Sequence, residues 1–155
     1  MNGISEIAVI LDKTSKTSDF VKVATSKYKD IYVSASDKTL IQVWNTEVNN
    51  LSNEQFEKEV NFLLEQIIQY KPQYVISDQR LYLHQITEEQ HIWYIDNFVP
   101  IMVSYGVSRF GIVINEDLRL QVQLEEIIAD VEEYRKEFLI PTRFFSSITE
   151  ALQWN

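Results

Sequence analysis

The stretch Tyr74-Val75-Ile76-Ser77-Asp78-Gln79-Arg80 constrains the fold of this chain more than any other. Four aromatic, β-branched or small residues follow Lys71-Pro72 and run abruptly into charge. An apolar run of that length with a polar break behind it reads as a strand buried on both faces. Ending such a strand in Asp78 and Arg80 sets both charges at one rim of a sheet. The carboxyl ends of the strands are where open α/β sheets place their ligand or partner sites.

On either side, the patterning alternates between strand and helix. Strands are predicted at Phe20–Ala24, Ile31–Ser34 and Leu40–Asn45, with Ser36-Asp37-Lys38 as the turn between the last two. Leu40 to Trp44 is the richest in β-formers and is expected to be the better buried of that pair. Ser52-Asn53-Glu54-Gln55 matches a capping box and opens a helix with Phe56, Val60, Leu63, Leu64, Ile67 and Ile68 on one face, stopped at Pro72. Thr87-Glu88-Glu89-Gln90 opens a second helix that runs to about Tyr105 and ends at Gly106. Its core stripe is Ile92, Ile95, Val99 and Met102, and Pro100 should kink it. Val107–Ile114 is a strand. Asn115 or Asp117 starts a third helix with Leu120, Leu124, Ile127, Ile128 and Val131 inward. Pro141–Phe145 is a short strand, and Ser147-Ile148-Thr149-Glu150 caps a terminal helix carrying Ala151, Leu152 and Trp154. The expected fold is α/β: an N-terminal β-hairpin, then alternating strands and helices, giving a mixed, mostly parallel sheet of four to six strands with helices packed on it. Residues 1–19 are expected to be an N-terminal extension, either an edge strand around Ile7–Leu11 or a loose tail, and residues 20–155 a single domain.

Composition narrows the function. The chain of 155 residues contains no cysteine, so it has no disulfide framework, thiolate metal site or cysteine nucleophile. The five-residue apolar run Ile7–Leu11 is too short for a signal-peptide core or a membrane span, and a cytoplasmic location is expected. Lysines and acids balance in residues 1–50, so the whole formal charge of −9 lies in residues 51–155. An acidic domain repels phosphate backbones, which argues against nucleic acid as a partner.

Several short motifs carry a family resemblance. They are Trp44, Asp78 with Arg80, Pro100, Gly106, the strand Gly106-Val107-Ser108-Arg109-Phe110-Gly111-Ile112-Val113, Thr142-Arg143-Phe144-Phe145, and Ala151 with Trp154. In that order and spacing, over roughly residues 22–154, the chain resembles the bacterial SpoIIAA-like family, which shares the STAS and CRAL-TRIO type of fold. The resemblance implies a sheet edge used for regulation or ligand contact rather than a settled chemistry. Anti-sigma-factor antagonists of this fold carry a phosphorylatable serine just beyond an Asp, at the start of the helix after this strand. This sequence departs there, because Gln79 and Arg80 follow Asp78.

Enzyme signatures are missing. With glycines only at 3, 106 and 111, neither a P-loop nor a dinucleotide fingerprint can be built, and there is no Gly-x-Ser-x-Gly elbow. His84 and His91 with Glu88 supply too few metal ligands, so both histidines are expected to face solvent near a helix start, and no cofactor is implied. Asp78 and Arg80 are the candidate binding pair at the sheet rim, for an anion or a partner, against the plainer reading that they cap and pair locally. Tyr94, Phe98, Ile101 and Tyr105 fall at i, i+4, i+7 and i+11, a second apolar stripe on the kinked helix. They are the candidate partner or pocket surface: a homodimer face, the wall of an apolar pocket, or simply a helix packed on two sides. The functional expectation is a non-enzymatic regulatory or interaction module acting through protein contacts. Its alternative is a carrier of an apolar or lipid-like small molecule.

Overall fold

Among the described residues six strands form one mixed sheet whose spatial order is the order of the chain. β1 (Val21–Thr25), β2 (Lys29–Ser34) and β3 (Thr39–Trp44) make an antiparallel meander, and β4 (Tyr74–Asp78), β5 (Arg109–Val113) and β6 (Thr142–Phe145) continue it in parallel. This computed structural model describes residues 20–82, 84–114 and 118–154. The expected extension 1–19 and the expected helix start at Asn115 or Asp117 lie outside the described residues.

Each parallel step needs a crossover. α1 (Asn53–Tyr70) links β3 to β4, α2 (Glu88–Asn97) and α3 (Val99–Ser104) link β4 to β5, and α4 (Leu118–Tyr134) with the 3-10 turn Lys136–Phe138 links β5 to β6. Side-chain alternation then assigns the layers. Ile31, Val33, Leu40, Trp44, Val75, Phe110 and Ile112 pack with buried residues of all four helices on one face of the sheet. Tyr32, Ile41, Val43, Tyr74, Ile76 and Val113 belong to a second cluster on the opposite face, with Ile148 and Ala151 of α5 (Ile148–Leu152). β3 and β4 are buried along their whole length, polar Gln42 and Ser77 included, as strands packed on both faces are.

Local signals explain most of the boundaries. Ser52 and Gln55 complete the capping box of α1, and Lys71 ends that helix in the left-handed region, its N–H donating to Ile67 O, one residue before Pro72. Thr87 and Gln90 do the same for α2. The expected kink is a break: Pro100 has no N–H to give, and the helix restarts at Val99 with Phe98 as the joint. At the end of α3, Gly106 has φ of 100°, a value a side chain would strain against.

Trp154 closes the second face. Its ring meets Tyr74 edge-on at 5.6 Å and Phe145 at 5.8 Å, under the guanidinium groups of Arg109 and Arg143. Arg109 also donates to the Trp154 carbonyl, and the Tyr74 hydroxyl donates to the Ala151 carbonyl at 2.7 Å. Gly111 makes this closure fit, because a Cβ there would stand 2.6 Å from the Tyr74 hydroxyl.

Candidate functional site at the carboxyl rim of the sheet

The rim is built where β3, β4 and β5 end, with Val43, Asp78 and Val113 in register. Asp78 is 3% exposed and holds Arg80 in a fork: Nε donates to Oδ1 at 2.9 Å and Nη2 to Oδ2 at 2.7 Å. The backbone N–H of Arg80 also donates to Oδ1, at 3.2 Å. Both carboxylate oxygens are therefore engaged within three residues of chain, a charge-assisted clamp on the turn that leaves the sheet. The two predicted rim residues come together, and they meet each other first.

On the helix-covered face of the same rim lies a buried polar group. Gln42 and Ser77, neighbours across β3 and β4, are both buried, and Gln42 Nε2 donates to Ser77 Oγ at 2.8 Å. Gln79 Nε2 donates to the same oxygen at 3.2 Å. The amide oxygens Oε1 of both Gln42 and Gln79 are buried with no partner among the described residues, as is the indole N–H of Trp44. Unpaired buried acceptors carry a desolvation cost of about 1–3 kcal/mol each, the kind of cost that marks functional positions.

Gln79 opens into a crevice of about 70 Å³ between the sheet, the broken helix and α4. Val99 and Met102 wall it from α3, Ile128 and Val131 from α4, and Leu139 and Ile140 from the segment after the 3-10 turn. Tyr94 and Thr142 also line it, Tyr94 stacked on Phe98 with ring centroids 4.6 Å apart. Burial pushes the Tyr94 phenol well above its ordinary pKa, and the neighbouring Tyr82 is raised by burial first and by Tyr94 second. Both phenols are neutral hydrogen-bonding groups at physiological pH.

The expected stripe is split by this geometry. Phe98 is 1% exposed and lies in the core, and Tyr94 packs against that core and faces the crevice. Ile101 and Tyr105 are exposed on α3. Val99 and Met102, not Ile101 and Tyr105, are the buried residues of α3, so the four residues do not form one surface. Ile92, expected in the core stripe of the same helix, is 55% exposed.

The histidines are also placed differently from expectation. His84 does not face solvent: it is buried, accepts from the Leu51 N–H at Nδ1 (3.0 Å) and donates from Nε2 to Gln90 Oε1 (2.7 Å). Burial holds its pKa below the usual imidazole range, with the Gln90 bond opposing. His91 is half-buried and pairs with Asp130 at 2.7 Å. Among the described residues no three His, Cys, Asp or Glu converge in a way that could hold a metal.

No family model, curated protein or solved structure matches the chain. Among the described residues no helix is long and apolar enough to cross a membrane. The rim therefore has to be read from its own chemistry.

Another perturbed group at this end of the sheet carries no mark in the sequence. Lys29, the first residue of β2, is fully buried opposite Trp44, with Nζ 4.2 Å from the Trp44 ring and donating to the Glu59 carbonyl at 2.7 Å. Burial lowers its pKa to about 7, against the pull of the Glu59 carboxylate 3.9 Å away. Nothing in the strand pattern marked that lysine as inward. Gln42, by contrast, gave a visible signal as the one polar residue inside Leu40-Ile41-Gln42-Val43-Trp44.

Proposed function

We propose that this protein is a non-enzymatic regulatory or interaction module of the SpoIIAA-like, STAS-type fold, acting through protein contacts in the cytoplasm. The fold assignment is supported by the strand order, in which every strand steps to the next neighbour and the crossover helices share one face. The docking of Ala151 and Trp154 against the second face is in keeping with it.

The crevice carries the functional reading. Its described lining holds no charged side chain, and its phenol, Tyr94, stays protonated, so it offers no general acid or base near neutral pH. Small-molecule pockets run from about 300 to 1,000 Å³. A volume near 70 Å³ falls several-fold short of that and suits one apolar side chain presented by a partner, as at the anchored centre of a protein interface. Such an anchor contributes its area without requiring the crevice to enclose it.

The second reading, a carrier for an apolar molecule, is favoured by one observation: the unpaired Gln79 oxygen at the end of an apolar wall would accept from a hydroxyl or amide. Methyl-resolved NMR separates the two. With isobutanol as a leucine-like probe, the Ile128 and Met102 methyl signals are expected to shift saturably in the millimolar range, while dodecanoate leaves the protein unbound. Stoichiometric dodecanoate binding would establish a carrier instead, and an absence of any isobutanol response would remove the crevice from consideration.

A further inference from the structure

A second concavity lies on the outer surface, between α2 and α4, away from the crevice. It measures about 320 Å³, with Ile95 in its floor and Ile92 and Tyr134 on its walls. Tyr134 is 70% exposed and Ile92 55%, so two large side chains line one concavity while largely open to solvent. A hydrogen bond and an ion pair span the helices beside them, His91 with Asp130 at 2.7 Å and Arg135 with Asp96 at 2.8 Å. Both contacts lie in the lining of the groove and bridge its two walls.

Charge decides what could enter. The groove's own acids, Asp96 and Asp130, are met by Arg135 and His91, so the surplus charge comes from the six other carboxylates of α2 and α4, among them the exposed Glu88, Glu89, Glu126 and Glu133, against Arg119 within the helices. Most of the net charge of −9 is thus concentrated on the two helices that frame the groove. A second copy of this chain would set the same acidic surface against itself, and nucleic acid or an anionic bilayer would be repelled. A cationic partner would be steered in, and the tyrosine and isoleucine would give it apolar contact once there.

Resting on the contact-module reading, we infer that the α2–α4 groove receives a positively charged polypeptide segment bearing an apolar anchor. The crevice beneath α3 and this groove are then separate contact points, one apolar and one electrostatic.

The test uses the full chain and a fluorescein-labelled octapeptide probe, Lys-Lys-Leu-Lys-Lys-Leu-Lys-Lys, read by anisotropy. Its controls are the same peptide with Ser for Leu and with Glu for Lys. Wild type is expected to bind the basic, leucine-bearing peptide saturably, at least tenfold more tightly than either control, and to weaken several-fold between 50 and 300 mM salt. The double variant Ile92→Ser with Tyr134→Ser alters exposed side chains, so it should keep its melting curve and lose binding at least tenfold. Equal binding by that variant, or equal binding of the serine peptide, would reduce the effect to diffuse attraction and overturn the inference. No binding by wild type overturns it as well. The crevice is untouched in these variants, so its isobutanol response reports the contact-module reading independently.

Discussion

Replacing Lys29 by methionine should flatten the alkaline rise of stability that this residue imposes. In the unfolded chain the ammonium titrates near 10.5, and in the fold burial brings it to about 7. The folded value is depressed, so below pH 7 the native state holds a buried charge and is penalised. As pH rises from 7, the native amine is already neutral while the unfolded chain still binds a proton, and stability increases. Integrated from pH 7 to 9.5, the gain from this one group is about 3 kcal/mol. Tyr32, Tyr82 and Tyr94 are held above their ordinary range by burial and act in the opposite direction once unfolded tyrosines ionise near pH 10, but equally in both proteins. Methionine keeps the linear stem against Trp44 and Phe62, and Glu59 keeps the Ser26 hydroxyl bond at 2.8 Å. Urea denaturation followed by tryptophan fluorescence at the two pH values would read the difference. At a slope of about 2 kcal/mol per molar, the wild-type midpoint should move up by roughly 1.5 M while the variant moves far less. Parallel shifts in the two proteins would refute the reasoning.

Other perturbations test other parts of the frame. Arg80→Ala should cost about 3 kcal/mol because it leaves the buried Asp78 carboxylate unpaired, whereas Asp78→Ala should cost less, Arg80 being partly open to water. The double variant should recover at least about 1 kcal/mol of the summed loss; additivity in thermal melts would mean the pair is not a clamp and would revive a recognition role at the rim. Gly111→Ala forces the Tyr74 hydroxyl from the Ala151 carbonyl and should lower stability by about 2 kcal/mol with a red shift of Trp154 emission; an unchanged melt would show that the second face gives way easily. Because the folded pKa of His84 is depressed, its stabilising contribution is present above the unfolded value near 6.5 and is lost as pH falls below it. His84→Gln should therefore make the acid limb of the stability curve flatter than in wild type, as measured by urea midpoints from pH 7 to 5.

The architecture was legible where one local rule sufficed. Ser52 with Gln55 and Thr87 with Gln90 announced two helix starts, and Lys71-Pro72 announced a stop, because capping and ring constraints act within four residues. Ile92 misled because helical period alone assigned it inward, while the groove between α2 and α4 leaves that turn uncovered. Tyr94, Phe98, Ile101 and Tyr105 read as one stripe only if the helix is continuous. Pro100 was visible, but the angle it imposes depends on how the two halves pack, and that is a tertiary matter.

The rim shows the same limit in energetic form. Sequence identified Asp78 and Arg80 because charge after an apolar run is conspicuous, and these are the residues the fold uses on each other. The groups left with unmet hydrogen-bonding capacity, Gln42 and Gln79, are uncharged amides, of which only Gln42 stands out in the strand pattern. A charge satisfied within its own turn has little left to offer a ligand, whereas a buried amide oxygen without a donor gains most from whatever next supplies one. If the crevice recognises anything polar, recognition therefore runs through Gln79 rather than through the charged pair beside it. Gln79→Leu should leave the Asp78–Arg80 clamp intact, cost little or even stabilise the fold, and make the crevice indifferent to the hydroxyl of isobutanol. If instead Gln79→Leu destabilises the protein by more than about 2 kcal/mol, the amide is structural and its oxygen is satisfied in solution.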